Sequence, residues 1–130
     1  MGPSTSNEAR HVVVVDDDVL IRTLMTAFLA KLGCRSTMCA DGASASAEIA
    51  RAGASVCLVL IDLRLGAVNG VEVCRRLRAE GVRAPILCMS GDLGSTDRAS
   101  LDEAGFDGAL QKPISLQELE TCIAKHAPLG

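Results

Sequence analysis

Acidic residues stand directly after two apolar segments of this 130-residue chain. Asp16, Asp17 and Asp18 follow a run of valines, and Asp62 follows the run Leu-Val-Leu-Ile. If both segments are parallel strands of one sheet, their carboxyl ends meet at the same edge of the sheet. Carboxylates crowded in a partly desolvated cleft raise one another's pKa unless a cation offsets their charge. The spacing therefore predicts a cation site at this edge.

Magnesium suits such a site best. Mg²⁺ prefers one or two carboxylates together with a carbonyl, water and a phosphate oxygen, so an open acidic edge favours it over a closed Ca²⁺ cage. The sequence also lacks the pattern of a Ca²⁺-binding loop.

A hydroxyl and an ammonium group follow two further apolar segments. Ser90 comes after Pro85–Met89, and Lys112 follows closely on Ala109–Leu110. An aspartate nucleophile, a cation, a hydroxyl donor and a lysine are the parts that in-line phosphoryl transfer needs. Each residue alone has a commoner explanation: Ser90 as a turn residue, Lys112 as a solvated charge, and Asp18 as the N-cap of the next helix. Their convergence at one edge favours the chemical interpretation.

Five apolar segments predict the strands that position these residues. They are His11–Val15, Arg35–Cys39, Val56–Ile61, Pro85–Met89 and Ala109–Leu110. Helical patterns lie between them, and the most regular has an apolar face formed by Ile21, Leu24, Met25, Phe28, Leu29 and Leu32. Glycines typical of helix ends follow four of the predicted helices, at Gly33, Gly53, Gly81 and Gly105. A capping box of Ser115 and Glu118 begins the fifth helix.

This alternation predicts an α/β fold of the (βα)5 type, with a parallel sheet and helices on both faces. The length suits one domain, expected over residues 10–128, with residues 1–9 as a flexible N-terminal segment. The net charge of -3 and the absence of a basic stripe favour protein partners over direct binding of nucleic acid. No membrane span or secretion signal is recognisable, so we expect a cytoplasmic location. The six cysteines are irregularly spaced and are expected to be buried thiols.

Taken in order, these motifs resemble the receiver domains of two-component response regulators and hybrid histidine kinases. The resemblance spans His11 to Ala127 and rests on Val-Val-Asp-Asp-Asp, on Asp62 followed by Gly70, on Met-Ser-Gly and on Gln-Lys-Pro. It implies a CheY-like receiver domain with the flavodoxin-like, doubly wound fold, whose strand order is 2-1-3-4-5.

The resemblance also implies roles for the residues at the acidic edge. Asp62 would be the phosphoacceptor, with Asp17 binding Mg²⁺ directly and Asp16 binding it mostly through water. Asp62 itself and the backbone carbonyl of Arg64 would complete the protein ligands. Arg64 and Asp92, two residues after Asp62 and Ser90 respectively, would flank the phosphoryl pocket, and one hypothesis is that they pair across it and hinder an attacking water.

Two further residues would contact the phosphoryl group directly. Ser90 would donate a hydrogen bond to it, Lys112 would contact it as a cation, and the Lys112–Pro113 peptide would be cis. The chain departs from the family at Ala109, where receivers usually carry an aromatic residue that turns inward on activation. A switch that relies on this aromatic rotation is therefore not expected. The change on phosphorylation would then either be smaller or run through the Ser90–Leu93 loop and the following helix.

The implied function is a signalling phosphoacceptor rather than an enzyme. A histidine kinase or histidine phosphotransfer protein would supply the phosphoryl group, because the chain has no P-loop, and a downstream protein target would receive the signal. A stand-alone regulator, a phosphate sink and an excised receiver of a larger protein, such as a hybrid kinase, all remain open. One alternative is a docking pseudo-receiver that is not phosphorylated. Another is a Mg²⁺-dependent phosphohydrolase, which would typically carry a second Asp where this chain has Arg64.

Overall fold

We describe a computed structural model of the chain over residues 10–128. The segment predicted to be flexible, residues 1–9, lies outside these described residues.

Five strands of one sheet alternate with five α-helices along the chain, and a short antiparallel pair of segments, Arg64–Leu65 and Val68–Asn69, lies between the third strand and the third helix. The strands are β1 His11–Val15, β2 Arg35–Cys39, β3 Val56–Asp62, β4 Ile86–Ser90 and β5 Gly108–Gln111. The helices are α1 Val19–Lys31, α2 Gly42–Ala52, α3 Gly70–Ala79, α4 Arg98–Ala104 and α5 Leu116–His126. All neighbouring strands of the sheet pair in parallel, in the order β2-β1-β3-β4-β5. The predicted flavodoxin-like fold and its strand order are confirmed.

Apolar layers cover both faces of the sheet. The side chains of β1 alternate between them: Val13 and Val15 pack toward α2, α3 and α4, while Val12 and Val14 pack toward α1 and α5. Because both faces are covered, the central strands are apolar at successive positions rather than at every second one. Packing on both faces therefore holds the ends of the strands in place relative to one another.

Three predicted strands, β3, β4 and β5, end one residue later in the structure than in the sequence analysis, and two of these extensions include candidate site residues. Asp62 is the last residue of β3 and pairs with Met89, while Ser90 is the last residue of β4 and pairs with Gln111. Ladder hydrogen bonding continues into these polar residues because a neighbouring strand still lies beside them. Asp62 and Ser90 are thus held by the sheet itself rather than by the loops that follow.

The helix ends follow the predicted signals. The Asp18 carboxylate caps α1 by accepting a hydrogen bond from the Leu20 amide at 2.8 Å. Ser115 and Glu118 form the predicted capping box of α5. The four glycines expected after helices all have positive φ: Gly33, Gly53, Gly81 and Gly105. The ends of the helices are therefore encoded locally.

All six cysteines lie within the described residues and are free thiols, five of them buried. Burial raises the pKa of four of them, Cys39, Cys74, Cys88 and Cys122, to about 11. Such thiols stay protonated at neutral pH, which agrees with the predicted packing role. No helix formed by residues 10–128 has the length and apolarity needed to cross a membrane.

Candidate functional site

Three carboxylates converge where β1 and β3 end. Asp16 and Asp17 follow β1, Asp62 closes β3, and one oxygen atom of each lies within 4.8 Å of the other two. The side chain of Asp16 is fully buried and Asp62 is only 7% exposed, whereas Asp17 is open to solvent. A set of hard oxygen ligands that is open on one side fits Mg²⁺, which keeps several water ligands when bound to proteins.

Asp16 is held in place by hydrogen bonds to its side chain and to its backbone. Its Oδ1 accepts from the amide of Asp18 at 2.9 Å, and its Oδ2 accepts from Nζ of Lys112 at 2.9 Å. Its amide donates to the carbonyl of Cys39 at 3.0 Å, and its own carbonyl accepts from Nη1 of Arg22 at 2.8 Å. The end of β1 is therefore held by hydrogen bonds to both the backbone and the side chain of Asp16.

The carboxylate of Asp62 lies in an environment that partly disfavours its charge. Its Oδ1 accepts from the amide of Arg64 at 3.1 Å, and its Oδ2 lies 3.2 Å from Nζ of Lys112. Burial raises the pKa of Asp62 and the nearby Asp16 charge raises it further, while the Arg64 amide and the Lys112 ammonium offset part of the rise. A cation placed among the carboxylates would relieve this cost.

Lys112 reaches the acidic edge from beyond β5, two strands away from β3 in chain order. Burial by itself lowers the pKa of Lys112, but the hydrogen bond and charge of Asp16, followed by the charge of Asp62, outweigh burial, so the pKa is raised overall. Lys112 therefore remains an ammonium ion that bridges two carboxylates. The Lys112–Pro113 peptide is cis, as predicted.

Ser90 lies on the neighbouring strand with its hydroxyl directed to the loop that follows. It is 9% exposed, and its Oγ accepts a hydrogen bond from the amide of Asp92 at 3.0 Å. The same loop is tied to the end of β5, because the Leu93 amide donates to Oε1 of Gln111 at 3.2 Å. The loop after β4 is thus connected both to Ser90 and to the residue next to Lys112.

The predicted pair between Arg64 and Asp92 is wrong for this structure. Both residues line a cleft of about 240 Å³ beside Ser90, but no ion pair joins them within residues 10–128. The carboxylate of Asp92 instead accepts a hydrogen bond from Oγ of Ser95 at 2.6 Å. A hydroxyl three residues further along the chain is nearer than a guanidinium on another loop, so the local bond forms.

Ala109 leaves open space on β5, where the resemblance implied an aromatic residue in most receivers. A cleft of about 690 Å³ lies beside Ala109 and extends from Leu93 to α5, with Gln111 on its wall. No aromatic side chain of β5 can fill it, because β5 consists of Gly, Ala, Leu and Gln.

The sequence analysis did not identify the contacts that three further residues make at the site. Arg22 binds the Asp16 carbonyl, Gln111 binds the loop after Ser90, and Gly70 packs against the backbone of Asp62. Arg22 had a usable signal, since helical side chains tilt toward the N-terminus and an arginine in the first turn can reach the preceding strand. The contact of Gln111 had no such local signal.

Comparisons with known proteins point to one protein family. A family model described as response regulator receiver domain matches residues 12–124. The alkaline phosphatase synthesis transcriptional regulatory protein SphR of Synechococcus elongatus is 36% identical over 124 residues, which cover 90% of this chain and 48% of that protein. The regulatory protein VirG of Agrobacterium tumefaciens is 36% identical over 110 residues, covering 84% and 40%. The chain therefore spans less than half the length of each of these relatives.

A solved structure gives a similar result. The receiver domain of a sensor histidine kinase from Pseudomonas aeruginosa is 30% identical, with a TM-score of 0.79 over 89% of this chain and 95% of that one. That structure has a magnesium ion coordinated in its active site cleft.

Proposed function

This chain belongs to the response regulator receiver domain family, and on that premise we propose that Asp62 accepts a phosphoryl group in a Mg²⁺-dependent reaction. The observation that carries the proposal is the position of Asp62, within 4.8 Å of oxygens of Asp16 and Asp17 and 3.2 Å from Nζ of Lys112. The arrangement combines a nucleophile, a site for a cation and a second positive charge. These are the requirements of in-line phosphoryl transfer.

Four groups are proposed to hold the metal: the carboxylates of Asp16, Asp17 and Asp62 and the backbone carbonyl of Arg64. Asp17 would bind directly, because it is open to solvent. Both oxygens of Asp16 already accept hydrogen bonds, which supports a contact through water. Bound Mg²⁺ supplies positive charge that favours the ionised form of Asp62 and neutralises the phosphoryl oxygens.

The chain's own residues perform the transfer as follows. A carboxylate oxygen of Asp62 attacks phosphorus, the bond from phosphorus to the donor's leaving atom breaks, and the leaving group keeps the electron pair. An acyl phosphate on Asp62 results. The Oγ of Ser90 already accepts from the Asp92 amide, so its own proton is available for a phosphoryl oxygen, as is an N–H of Lys112. Later hydrolysis of the acyl phosphate returns the carboxylate and limits the signal.

The test uses acetyl phosphate as a small donor. We expect intact-mass spectrometry to detect one phosphoryl adduct when Mg²⁺ is present and none when EDTA is added. A protein that gains no adduct under any of these conditions would be the docking pseudo-receiver. Sustained turnover of a small phosphoester would instead identify the phosphohydrolase.

The receiver family is a signalling family, and its response regulators interact with histidine kinases. We propose a histidine kinase or histidine phosphotransfer protein as the donor for this chain. Apolar side chains beside the acidic edge support a protein donor: among the described residues, the exposed large apolar ones are Val19, Leu20, Leu24 and Val68. Leu24 was predicted on the buried face of α1 but is 41% exposed, and Leu20 is 74% exposed. A protein that brings a phosphohistidine to Asp62 would cover them.

Replacing Leu20 by Ser should slow phosphoryl transfer from a protein donor but not from acetyl phosphate. A large apolar side chain at the centre of an interface often contributes about 1–2 kcal/mol, so we expect transfer to slow by roughly tenfold. The measurement compares both donors, using a phosphorylated histidine kinase that modifies the wild-type chain. Ala50→Ser, at an exposed position on α2, serves as the control. An equal slowing with both donors would rule out a docking role.

Output and location complete the proposal. We propose that a downstream protein senses the loop after Ser90, because this loop is bound both to Ser90 and to Gln111 and because Ala109 cannot act as an aromatic switch. A cytoplasmic location is supported by the six free thiols, which suit a reducing compartment.

A further inference from the structure

Arg22 lies in the first turn of α1 and its side chain reaches back beyond the start of the helix. Its Nη1 donates a hydrogen bond of 2.8 Å to the backbone carbonyl of Asp16, and the residue is half-buried. Hydrogen bonds from a charged donor are stronger than those between neutral groups. This bond therefore fixes the peptide that leaves β1.

The peptide bound by Arg22 is the one that joins Asp16 to Asp17. Because a peptide unit is planar, its orientation helps to set the direction of the Cα–Cβ bond of Asp17. The side chain of Asp17 has little other support, since it is exposed and accepts no hydrogen bond within residues 10–128. Asp16, in contrast, has both carboxylate oxygens bound. The orientation of Asp17 thus depends mainly on its backbone.

We infer that Arg22 is a positioning residue for the metal site, which it serves by fixing the Asp16–Asp17 peptide so that the Asp17 carboxylate faces the cation. The inference rests on the proposed function, because it presupposes Mg²⁺ binding at the three carboxylates. Groups that orient metal ligands commonly change metal affinity by about 10- to 100-fold when they are removed.

The two cationic side chains at this site, Lys112 and Arg22, should have opposite effects on the affinity for Mg²⁺. Lys112 contacts two of the carboxylates, at 2.9 and 3.2 Å, and thereby competes with a divalent cation for them. Arg22 contacts a backbone oxygen instead. By Coulomb's law alone, removal of either positive charge should strengthen Mg²⁺ binding. If Arg22 is a positioning residue, its removal should weaken binding despite the lost repulsion.

The test is a Mg²⁺ titration followed by backbone amide NMR shifts of the full chain, which has no Trp for fluorescence. Arg22→Met should raise the dissociation constant about tenfold. Arg22→Lys, which keeps the charge but lacks the planar fork, should raise it less. Lys112→Met should lower it and serves as the matched control for charge removal. Urea unfolding of each variant establishes that it is folded. If Arg22→Met does not fold, Arg22→Lys takes its place: weaker Mg²⁺ binding than that of the wild type supports the inference, and binding as tight as that of the wild type contradicts it.

Binding by Arg22→Met that is as tight as that of the wild type, or tighter, would overturn the inference. A double-mutant cycle with Asp17→Asn adds a second criterion, since Arg22→Met should have little further effect once Asp17 no longer carries a carboxylate. If Arg22→Met still weakened Mg²⁺ binding about tenfold in the Asp17→Asn variant, the inference would also be overturned. Failure of the proposed function would look different, because the wild-type chain would then show no Mg²⁺-dependent shifts at Asp17 or Asp62.

Discussion

Asp62→Asn is expected to abolish formation of the phosphoryl adduct and, without metal, to stabilise the fold. The amide of Asn is not a nucleophile toward phosphorus, so the loss of the adduct should be complete. The substitution keeps the shape of the side chain, and an Asn oxygen can still accept the hydrogen bond that the Arg64 amide gives to Asp62. Lys112 also keeps its contact with Asp16 at 2.9 Å.

The stabilisation follows from the electrostatics of the acidic edge. Burial raises the pKa of Asp62 and Asp16 adds to the rise, so the ionised carboxylate is disfavoured in the folded protein without a bound cation. Because this penalty falls on the charged form, a neutral Asn of the same shape is expected to raise the free energy of unfolding in EDTA. Mg²⁺ should reduce the difference in the free energy of unfolding between the variant and the wild type, because the metal stabilises the wild type and binds the variant less well.

Intact-mass spectrometry with acetyl phosphate and urea unfolding in EDTA measure the two effects. Asp41→Asn is the matched control, because Asp41 caps α2 through a hydrogen bond from the Ser44 amide and lies outside the carboxylate cluster. We expect this control to form the adduct as the wild type does and to gain no stability, since Asn and Asp are similar N-caps. An adduct on Asp62→Asn, or an Asp62→Asn variant less stable than the wild type in EDTA, would contradict the prediction.

Gly70→Ala is expected to cause a large loss of stability and to disturb the site. A Cβ atom on Gly70 would lie 2.3 Å from the carbonyl oxygen of Asp62 and 2.8 Å from Cα of Leu63. Both atoms belong to the backbone, so no side-chain rotation can relieve the clash. Either α3 must move away from the sheet or the end of β3 must distort. We expect a loss of about 3 kcal/mol, at the upper end for overpacking.

Thermal or urea unfolding measures this loss, and the yield of phosphoryl adduct reports the displacement of Asp62. Gly94→Ala is the matched control, because a Cβ atom there would have no neighbour within 4 Å. Its effect should stay within about 0.5 kcal/mol. A Gly70→Ala variant as stable as this control would mean that the close approach of α3 to β3 is not required.

Much of the fold and of the candidate site was predictable because the relevant signals are local. Apolar runs that end in Asp16 and Asp62 locate the strand ends, and parallel pairing then brings these ends to one edge. Helix limits followed from short-range chemistry, as at Asp18 and Ser115, where a side chain caps the amides of the next turn. The element types and order are confirmed for these reasons, whereas the chemical roles of the site residues stay predictions until they are measured.

Only the tertiary structure decided which distant segments of the chain come within a few ångströms of one another. Lys112 bridges Asp16 and Asp62 because β5 lies at one edge of the sheet and the chain beyond it turns back across the carboxyl ends of the strands. The approach of Gly70 to the β3 backbone depends in the same way on the path of a loop. Sequence patterns encode which residues lie at an edge. The distances that decide which of them touch depend on packing, and packing arises only when the whole sheet is assembled.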